Sequence, residues 1–345
     1  MGIKQLSKLI KEKCAKAIIC RKFGYYDSSK IAIDASLSIY QFLIAVRSDG
    51  SVLGFGDTTT SHLIGMFYRT IRIVESGITP VYVFDGKAPA MKTEELKKRL
   101  EKRQKAEKLH EIAKELEDKK EMEKQDKRTT KVTETHVAEC QKLLKLMGIP
   151  FVTAVSESEA FCSFLCKKGY VDGVATEDMD ALCFGTPILL RNMNAAKSKK
   201  LDIDEYNLKM ILKELDLSMD QFIDLCILMG CDYCDTIKGI GYKRAFDLIK
   251  KYGSIDEILK NENLEIPENF DYCNARRIFN ELSEVGEPEN FSIDYDSIDQ
   301  AGLVDYLCKE KGFDETRVLK GVEKVVKTQK RGNQTKISDF FAKKK

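Results

Sequence analysis

At roughly 150 residues per domain, a chain of 345 residues holds about two domains' worth of sequence. With 43% hydrophobic residues, 32% charged and 6 Pro, it is neither a small stapled scaffold nor a wholly disordered chain. No run approaches the ~20 apolar residues that a bilayer crossing needs, and the start MGIKQLSKLIKEKC lacks a signal-type apolar stretch, so a soluble, unsecreted protein is expected. The 11 Cys follow no framework spacing, which fits a reducing compartment without disulfides.

The net charge of +2 conceals an asymmetry. Residues 324–345 hold eight Lys/Arg against one Asp, and residues 92–108 hold eight Lys/Arg against four Glu, which leaves the remainder at −9. Positive charge gathered at two places on an acidic body points to an anionic partner, nucleic acid being the commonest.

In chain order, KIAID (30–34) and TPVYVFD (79–85) are nearly continuous apolar runs of strand length, the pattern of strands covered on both faces. Between them Leu63, Met66, Phe67, Ile71 and Val74 recur at helical spacing over 62–75, with Gly77 as the stop. Residues 92–131 are rich in Lys, Glu, Arg, Gln, Ala and Leu without Gly or Pro, so they should be helical with little apolar face to bury, and project from the body. A further helix over 134–147 carries Val137, Cys140, Leu143, Leu144 and Met147. It precedes the strand IPFVTA, a helix starting near Glu157, the strand VDGVAT and the strand PILLRN (187–192). This alternation predicts an α/β fold with a mostly parallel central sheet and helices on both faces. After Leu201 the strand signals stop, and short helices are expected over about 204–215, 219–229, 243–251 and 254–260. The domains expected are an α/β core from 1–91 and 132–203, a projecting helical segment at 92–131, a helical lobe at 204–323, and a basic disordered tail at 324–345.

Asp34, Asp85, and Asp178 with Asp180 follow expected strands, and ligands of open α/β sheets bind at the carboxyl ends of strands. Glu157 and Glu159 open the next helix, and Asp232 follows the helix 219–229. Any one of these acids alone is ordinary turn or cap chemistry. Gathered together they would repel strongly unless cations lie among them, and such oxygen ligands suit Mg²⁺ or Mn²⁺. Two such ions suit phosphodiester hydrolysis. On the projecting helix, Lys92, Arg99 and Arg103 fall within about 20° of one stripe, so Lys92 and Arg99 could clamp a scissile phosphate. KGIGYKRA (238–245) offers Gly239 and Gly241 for close backbone approach to a phosphate, with Lys243 and Arg244 beside the next helix N-terminus.

With these residues in view, MGI, IAIDAS, SIYQFLIAVR, TSHLIGMFYRTIR, PVYVFDGKAP, ATEDMDAL and DLCILMGCDYC closely resemble the eukaryotic and archaeal flap endonuclease family of structure-specific 5′ nucleases. The match runs from residue 1 to about 260. The resemblance implies two Mg²⁺ held by the seven acids, with Lys92 and Arg99 as electrophilic catalysts. It implies DNA contacts at Tyr40, Arg47, Arg69, Arg103, Glu157, Gly230 and Asp232, and at Gly239, Gly241, Lys243 and Arg244 of a helix–hairpin–helix that can hold K⁺. Residues 92–131 become a gateway and cap threaded by a 5′ flap, whose phosphates would meet Lys127, Arg128 and Lys131. Gln334, Ile337, Phe340 and Phe341 resemble the motif that docks on the sliding clamp, proliferating cell nuclear antigen, up to three monomers per clamp trimer. Okazaki-fragment maturation and long-patch base excision repair in the nucleus, with mitochondria as a second location, and no membrane partner, complete the expectation.

Tyr242 stands where many relatives carry proline, and Phe161 and Cys162 are bulkier than the family's usual residues. A related 5′ exonuclease or bubble nuclease and a silent clamp-recruiting DNA adaptor are the competing readings. A binding protein would gain affinity by shedding acids near phosphates. Cys231-x-x-Cys234 has half-zinc-site spacing but lacks a second pair. Met1-Gly2 fails the myristoylation pattern at Leu6. His62, His110 and His136 need no role.

Overall fold

The computed structural model describes residues 2–46, 54–55, 58–87, 92–195, 201–281 and 292–332. Its centre is a seven-stranded sheet, ordered β1-β9-β8-β7-β2-β5-β6. The strands are β1 (Ile18–Arg21), β2 (Lys30–Asp34), β5 (Thr79–Phe84), β6 (Phe151–Thr153), β7 (Gly173–Ala175), β8 (Ile188–Arg191) and β9 (Ile203–Asn207), with a separate pair β3 (Gly54–Phe55) and β4 (Thr58–Thr59). The five strands from β8 to β6 run parallel, whereas β9 is antiparallel to both β8 and β1.

Side-chain alternation explains how the sheet is covered. Ile31, Ile33, Tyr82 and Phe84 face one apolar cluster with α2 (Ala35–Val46), α3 (Ser61–Glu75) and α6 (Glu134–Leu146). Ala32, Val81, Val83 and Val174 face the other way, against α7 (Ser158–Lys167). A strand with apolar residues on both faces is buried on both, as the two long runs predict.

Two findings depart from the sequence reading. Strand signals do not stop at Leu201, because Ile203–Asn207 pairs with both β8 and β1, and helix α9 begins only at Leu208 (Leu208–Leu215). The segment reads IDEYN, and its two adjacent acids depress strand propensity. Glu205 is nonetheless buried, accepting a hydrogen bond from Tyr26 Oη at 2.7 Å. Helix also extends past 323. After α14 (Gln300–Val304) and a π-helical turn at Asp305–Glu310, α15 spans Glu315–Gly332. Leu303, Tyr306, Val318, Val322 and Val325 join the cluster around Phe67 and Ile71, so this segment packs on the core rather than on the helical lobe. A Cβ on Gly321 would stand 2.7 Å from Ile71 Cδ1, which shows how closely α15 approaches α3.

The projecting segment is a helical hairpin, α4 (Thr93–Glu115) and α5 (Lys119–Thr129). The three histidines have structural partners: His62 meets Glu139 at 2.6 Å, His110 meets Asp126 at 3.2 Å, and His136 completes the capping box of α6. The lobe gathers α1 (Leu6–Lys13), α8 (Asp180–Cys183), α10 (Met219–Met229), α11 (Tyr242–Tyr252), α12 (Ile255–Asn261) and α13 (Tyr272–Glu281) around a second apolar cluster. No helix among the described residues is long and apolar enough to cross a membrane.

Candidate active site

Neighbouring strands β2 and β7 send their chains to opposite sides, β2 through α2 and α3 toward β5, and β7 through α8 toward β8. The crevice beyond their carboxyl ends is where such sheets bind ligands. Asp34 closes β2 and accepts from the Leu37 amide at 2.9 Å, capping α2, while Thr176 Oγ1 approaches its other oxygen at 3.5 Å. Asp85, just past β5, accepts from the Ser158 amide at 2.9 Å, so the first turn of α7 delivers Glu157 and Glu159 to the same rim. Asp178 and Asp180 lie between β7 and α8, and Asp232 lies just past α10.

Four of these side chains leave water almost completely: Asp34 is 2% exposed, Glu157 and Asp178 6%, and Asp180 7%. Burial and the neighbouring Asp85 carboxylate push the Asp34 carboxyl up to about 7, with Asp178 adding to the rise and the Leu37 amide opposing it. Glu159 rises well above the usual range through burial and the charges of Asp34, Asp85 and Asp178. Asp180 rises through burial and the charges of Asp178, Asp232 and Glu159, and Asp178 rises chiefly through burial. These acids therefore share one field. Among the described residues no three His, Cys, Asp or Glu side chains stand as a ready-made coordination set. Each carboxylate instead turns to a partner of its own on the wall of the crevice.

For Asp34 the consequence can be measured. Its folded-state value lies above the unfolded 3.8, so the folded protein holds more protons between about pH 4 and 7, and stability falls as pH rises through that window. Asp34→Asn keeps the cap on α2 and removes the charge. Without added metal it is expected to unfold at a higher temperature than the parent at pH 8 and to match it near pH 4. Thermal melts across pH check this.

Lys92 and Arg99 bring positive charge to the same place. Lys92, the N-cap of α4, donates to Glu157 Oε1 at 2.5 Å and lies 4.0 Å from Asp232. Burial opposes its charge, yet Glu157, Glu159 and Asp232 together raise its pKa above the ordinary lysine value. Arg99, seven residues along, pairs with Asp232. Were all seven carboxylates ionised, they would outnumber these two side-chain cations by five, and the raised acids hold protons in place of the missing positive charge.

Two features escaped the sequence reading. Tyr233 donates its hydroxyl to Glu157 and packs its ring edge-on to Phe279 at 5.2 Å. Its position inside GCDYC was the available signal. The first residues of the chain also enter the crevice, where the Ile3 amide donates to Asp180 Oδ1 at 2.6 Å and the Lys4 amide to the Gly230 carbonyl at 3.1 Å. A Cβ on Gly2 would stand 1.7 Å from Asp178 Oδ1, so only glycine fits there.

The remaining sites fall in several places. Gly230, at φ +111°, ends α10, and a Cβ there would meet Thr236 Cγ2 at 2.5 Å. Gly239 takes φ +80° and exposes its carbonyl to Arg244 Nη1 at 3.4 Å, Gly241 caps α11, and Lys243 and Arg244 are exposed on its first turn. Tyr242, at the first helical position, is buried and donates to Glu12 at 3.1 Å; this is a position where proline is also favoured. Arg103 lies on α4, Lys127 and Arg128 on the last turn of α5, and Lys131 just beyond it. Tyr40 sits half-buried on α2. Arg69 stacks over the Phe42 ring at 4.0 Å and donates to Gln41 at 3.3 Å. Arg47, Gln334, Ile337, Phe340 and Phe341 lie outside the described residues.

Known proteins give the geometry its context. Residues 1–106 match the XPG N-terminal domain, and residues 148–232 match the XPG I-region. Flap endonuclease 1 of Encephalitozoon cuniculi (strain GB-M1) is 57% identical over 345 residues, covering 100% of both chains. The chain belongs to the flap endonuclease family. Flap endonuclease 1 of Danio rerio is 50% identical over 345 residues, 99% of this chain and 90% of that one. The solved flap endonuclease-1 from Methanococcus jannaschii superposes with a TM-score of 0.72 at 34% identity, covering 91% of this chain and 96% of that chain. The catalytic core of Rad2 in complex with DNA substrate, 24% identical, shares the fold at a TM-score of 0.73, covering 94% and 100%. The protein is a structure-specific flap endonuclease, a DNA-binding hydrolase, and flap endonucleases of this kind are metal-dependent.

Proposed function

We propose that the seven carboxylates hold two Mg²⁺ ions, for which Mn²⁺ can substitute, and that the enzyme cuts 5′-flap DNA at its junction, with 5′-3′ exonuclease activity besides. The observation that carries this reading is the convergence of Asp34, Asp85, Glu157, Glu159, Asp178, Asp180 and Asp232 on one crevice. The donor set fits the ions, because every group is a hard oxygen ligand and cations among the carboxylates would relieve both the burial of charge and the repulsion that raise four of these acids. Two divalent ions would offset four of the five excess charges of the fully ionised set and so let the raised acids give up their protons. When bound, the ions supply Lewis acidity that activates a water and stabilises the leaving oxygen.

The protein's own groups do the rest. Lys92 and Arg99 are tied to Glu157 and Asp232, so an incoming phosphate must draw them from those partners. Once there, they stabilise the charge that grows on its oxygens. Tyr233 keeps Glu157 oriented while Lys92 leaves it. The hairpin at 238–245 presents backbone and two cations to duplex phosphates, with its carbonyls as ligands for K⁺, and Tyr40, Arg47, Arg69, Arg103, Lys127, Arg128 and Lys131 bind the strands. Gln334, Ile337, Phe340 and Phe341 dock the enzyme on the sliding clamp, up to three monomers per trimer, for Okazaki-fragment maturation and long-patch base excision repair in the nucleus and mitochondria.

Incubating the protein with an end-labelled double-flap substrate tests the central claim. Cleavage near the junction is expected with Mg²⁺ and none with EDTA. A retarded but uncut substrate in both conditions would select a binding role instead.

A further inference from the structure

Beside Asp232 sits a thiol pair that the reaction does not use. Cys231 and Cys234 are half-buried, with their sulfurs 3.8 Å apart. Their neighbours Cys183 and Cys226 are fully buried, out of reach of a reagent in solution. A disulfide requires about 2.05 Å between sulfurs, so closing this pair asks for a small local contraction. The residues enclosed by the new ring would be Asp232, which holds Arg99, and Tyr233, which holds Glu157. Gly230, at the ring's edge, already has a backbone conformation reserved for glycine and accepts the Lys4 amide. Contraction of 231–234 therefore pulls directly on the attachments of two acids and of both cationic side chains.

We propose that Cys231 and Cys234 form a thiol–disulfide exchange site for low-molecular-weight disulfides such as oxidised glutathione, and that closing it switches cleavage off reversibly. The Cys231 thiol loses its proton and its sulfur attacks one sulfur of the oxidised glutathione, breaking that S–S bond and releasing one glutathione thiolate, which takes up the proton. Cys234 then attacks the Cys231 sulfur of the mixed disulfide. This forms the intramolecular bond and expels the second glutathione with the second proton. Two electrons pass from the protein sulfurs to the reagent, and a dithiol reductant reverses the exchange.

The test uses the full chain equilibrated with oxidised glutathione, then digested for mass analysis, with a parallel assay on a flap substrate with Mg²⁺. Expected are a crosslink between Cys231 and Cys234, lighter by two hydrogens, and a loss of cleavage of roughly ten- to hundred-fold, as displacements near 1 Å produce in active sites. Dithiothreitol should restore both. The exposed Cys20 and Cys273 would each gain a glutathione instead, so mass separates them from the pair. Cys231→Ser and Cys234→Ser should cut normally and resist the oxidant. The loss of cleavage rests on the metal-site reading through Asp232, whereas the bond is detected by mass independently of it. No crosslink, a crosslink with unchanged cleavage, or equal inhibition of the serine variants would each overturn the proposal.

Discussion

Asp180→Ala and Asp180→Asn are expected to bind flap DNA as well as the parent and to cut it roughly a thousand-fold or more slowly, since a site of this kind supplies several kcal/mol of transition-state stabilisation. Asp180 is buried, faces Asp178, Asp232 and Glu159, and accepts the Ile3 amide. Alanine removes both the charge and that acceptor, and an orphaned buried amide costs about 1–3 kcal/mol, so some of its effect would be structural. Asparagine keeps an oxygen for Ile3 and removes only the charge. Binding should be retained or tighten in both, because a negative charge near phosphates is lost. Gel retardation and single-turnover cleavage separate the two effects, and an asparagine variant that cuts at the parental rate would refute the assignment of Asp180 to the metal site.

The largest stability effect is expected at Arg276. Its guanidinium grips the buried Asp224 through two bonds of 2.8 Å and reaches Asp256 at 3.0 Å, while Asp224 also accepts the Ile255 amide at 3.0 Å. The group ties α10, α12 and α13 together, and α10 carries Gly230 and Asp232 at its end. Arg276→Ala takes the counter-charge from the buried Asp224, which keeps only the Ile255 amide, at a cost of about 3–5 kcal/mol. Arg276→Leu combined with Asp224→Leu should cost less, because no buried charge is left without its partner, and its remaining cost of about 1–3 kcal/mol is the Ile255 amide that loses its acceptor. Denaturant unfolding of both variants decides this; equal losses would mean that the pair is not the linchpin.

Much of the fold and of the site can be read in the sequence, for a physical reason. The strands at 30–34 and 79–85 are apolar on both faces and so stand out as uninterrupted runs, and the acids that end them lie at the one rim where such sheets bind ligands. Ile203–Asn207 is hidden because it alternates and carries adjacent acids, and Glu205 is buried through Tyr26, a residue far away in sequence. Tyr233 was hidden because a tyrosine's role depends on where its hydroxyl ends, here on Glu157. Gly2 and Ile3 were hidden because nothing in local pattern reveals that a chain's first residues fold back between a strand loop and a distant helix end.

Helix α15 is anchored to α3 through Val318, Gly321, Val322 and Val325 and runs on to Gly332. Seven residues of helix beyond Val325 make a strut of about 10 Å, and only Asn333 separates its end from Gln334. In the clamp-docked enzyme proposed above, the reach of the cutting crevice along DNA would depend on the stiffness of this strut, and Gly-Ser residues added after Gly332 would lengthen it.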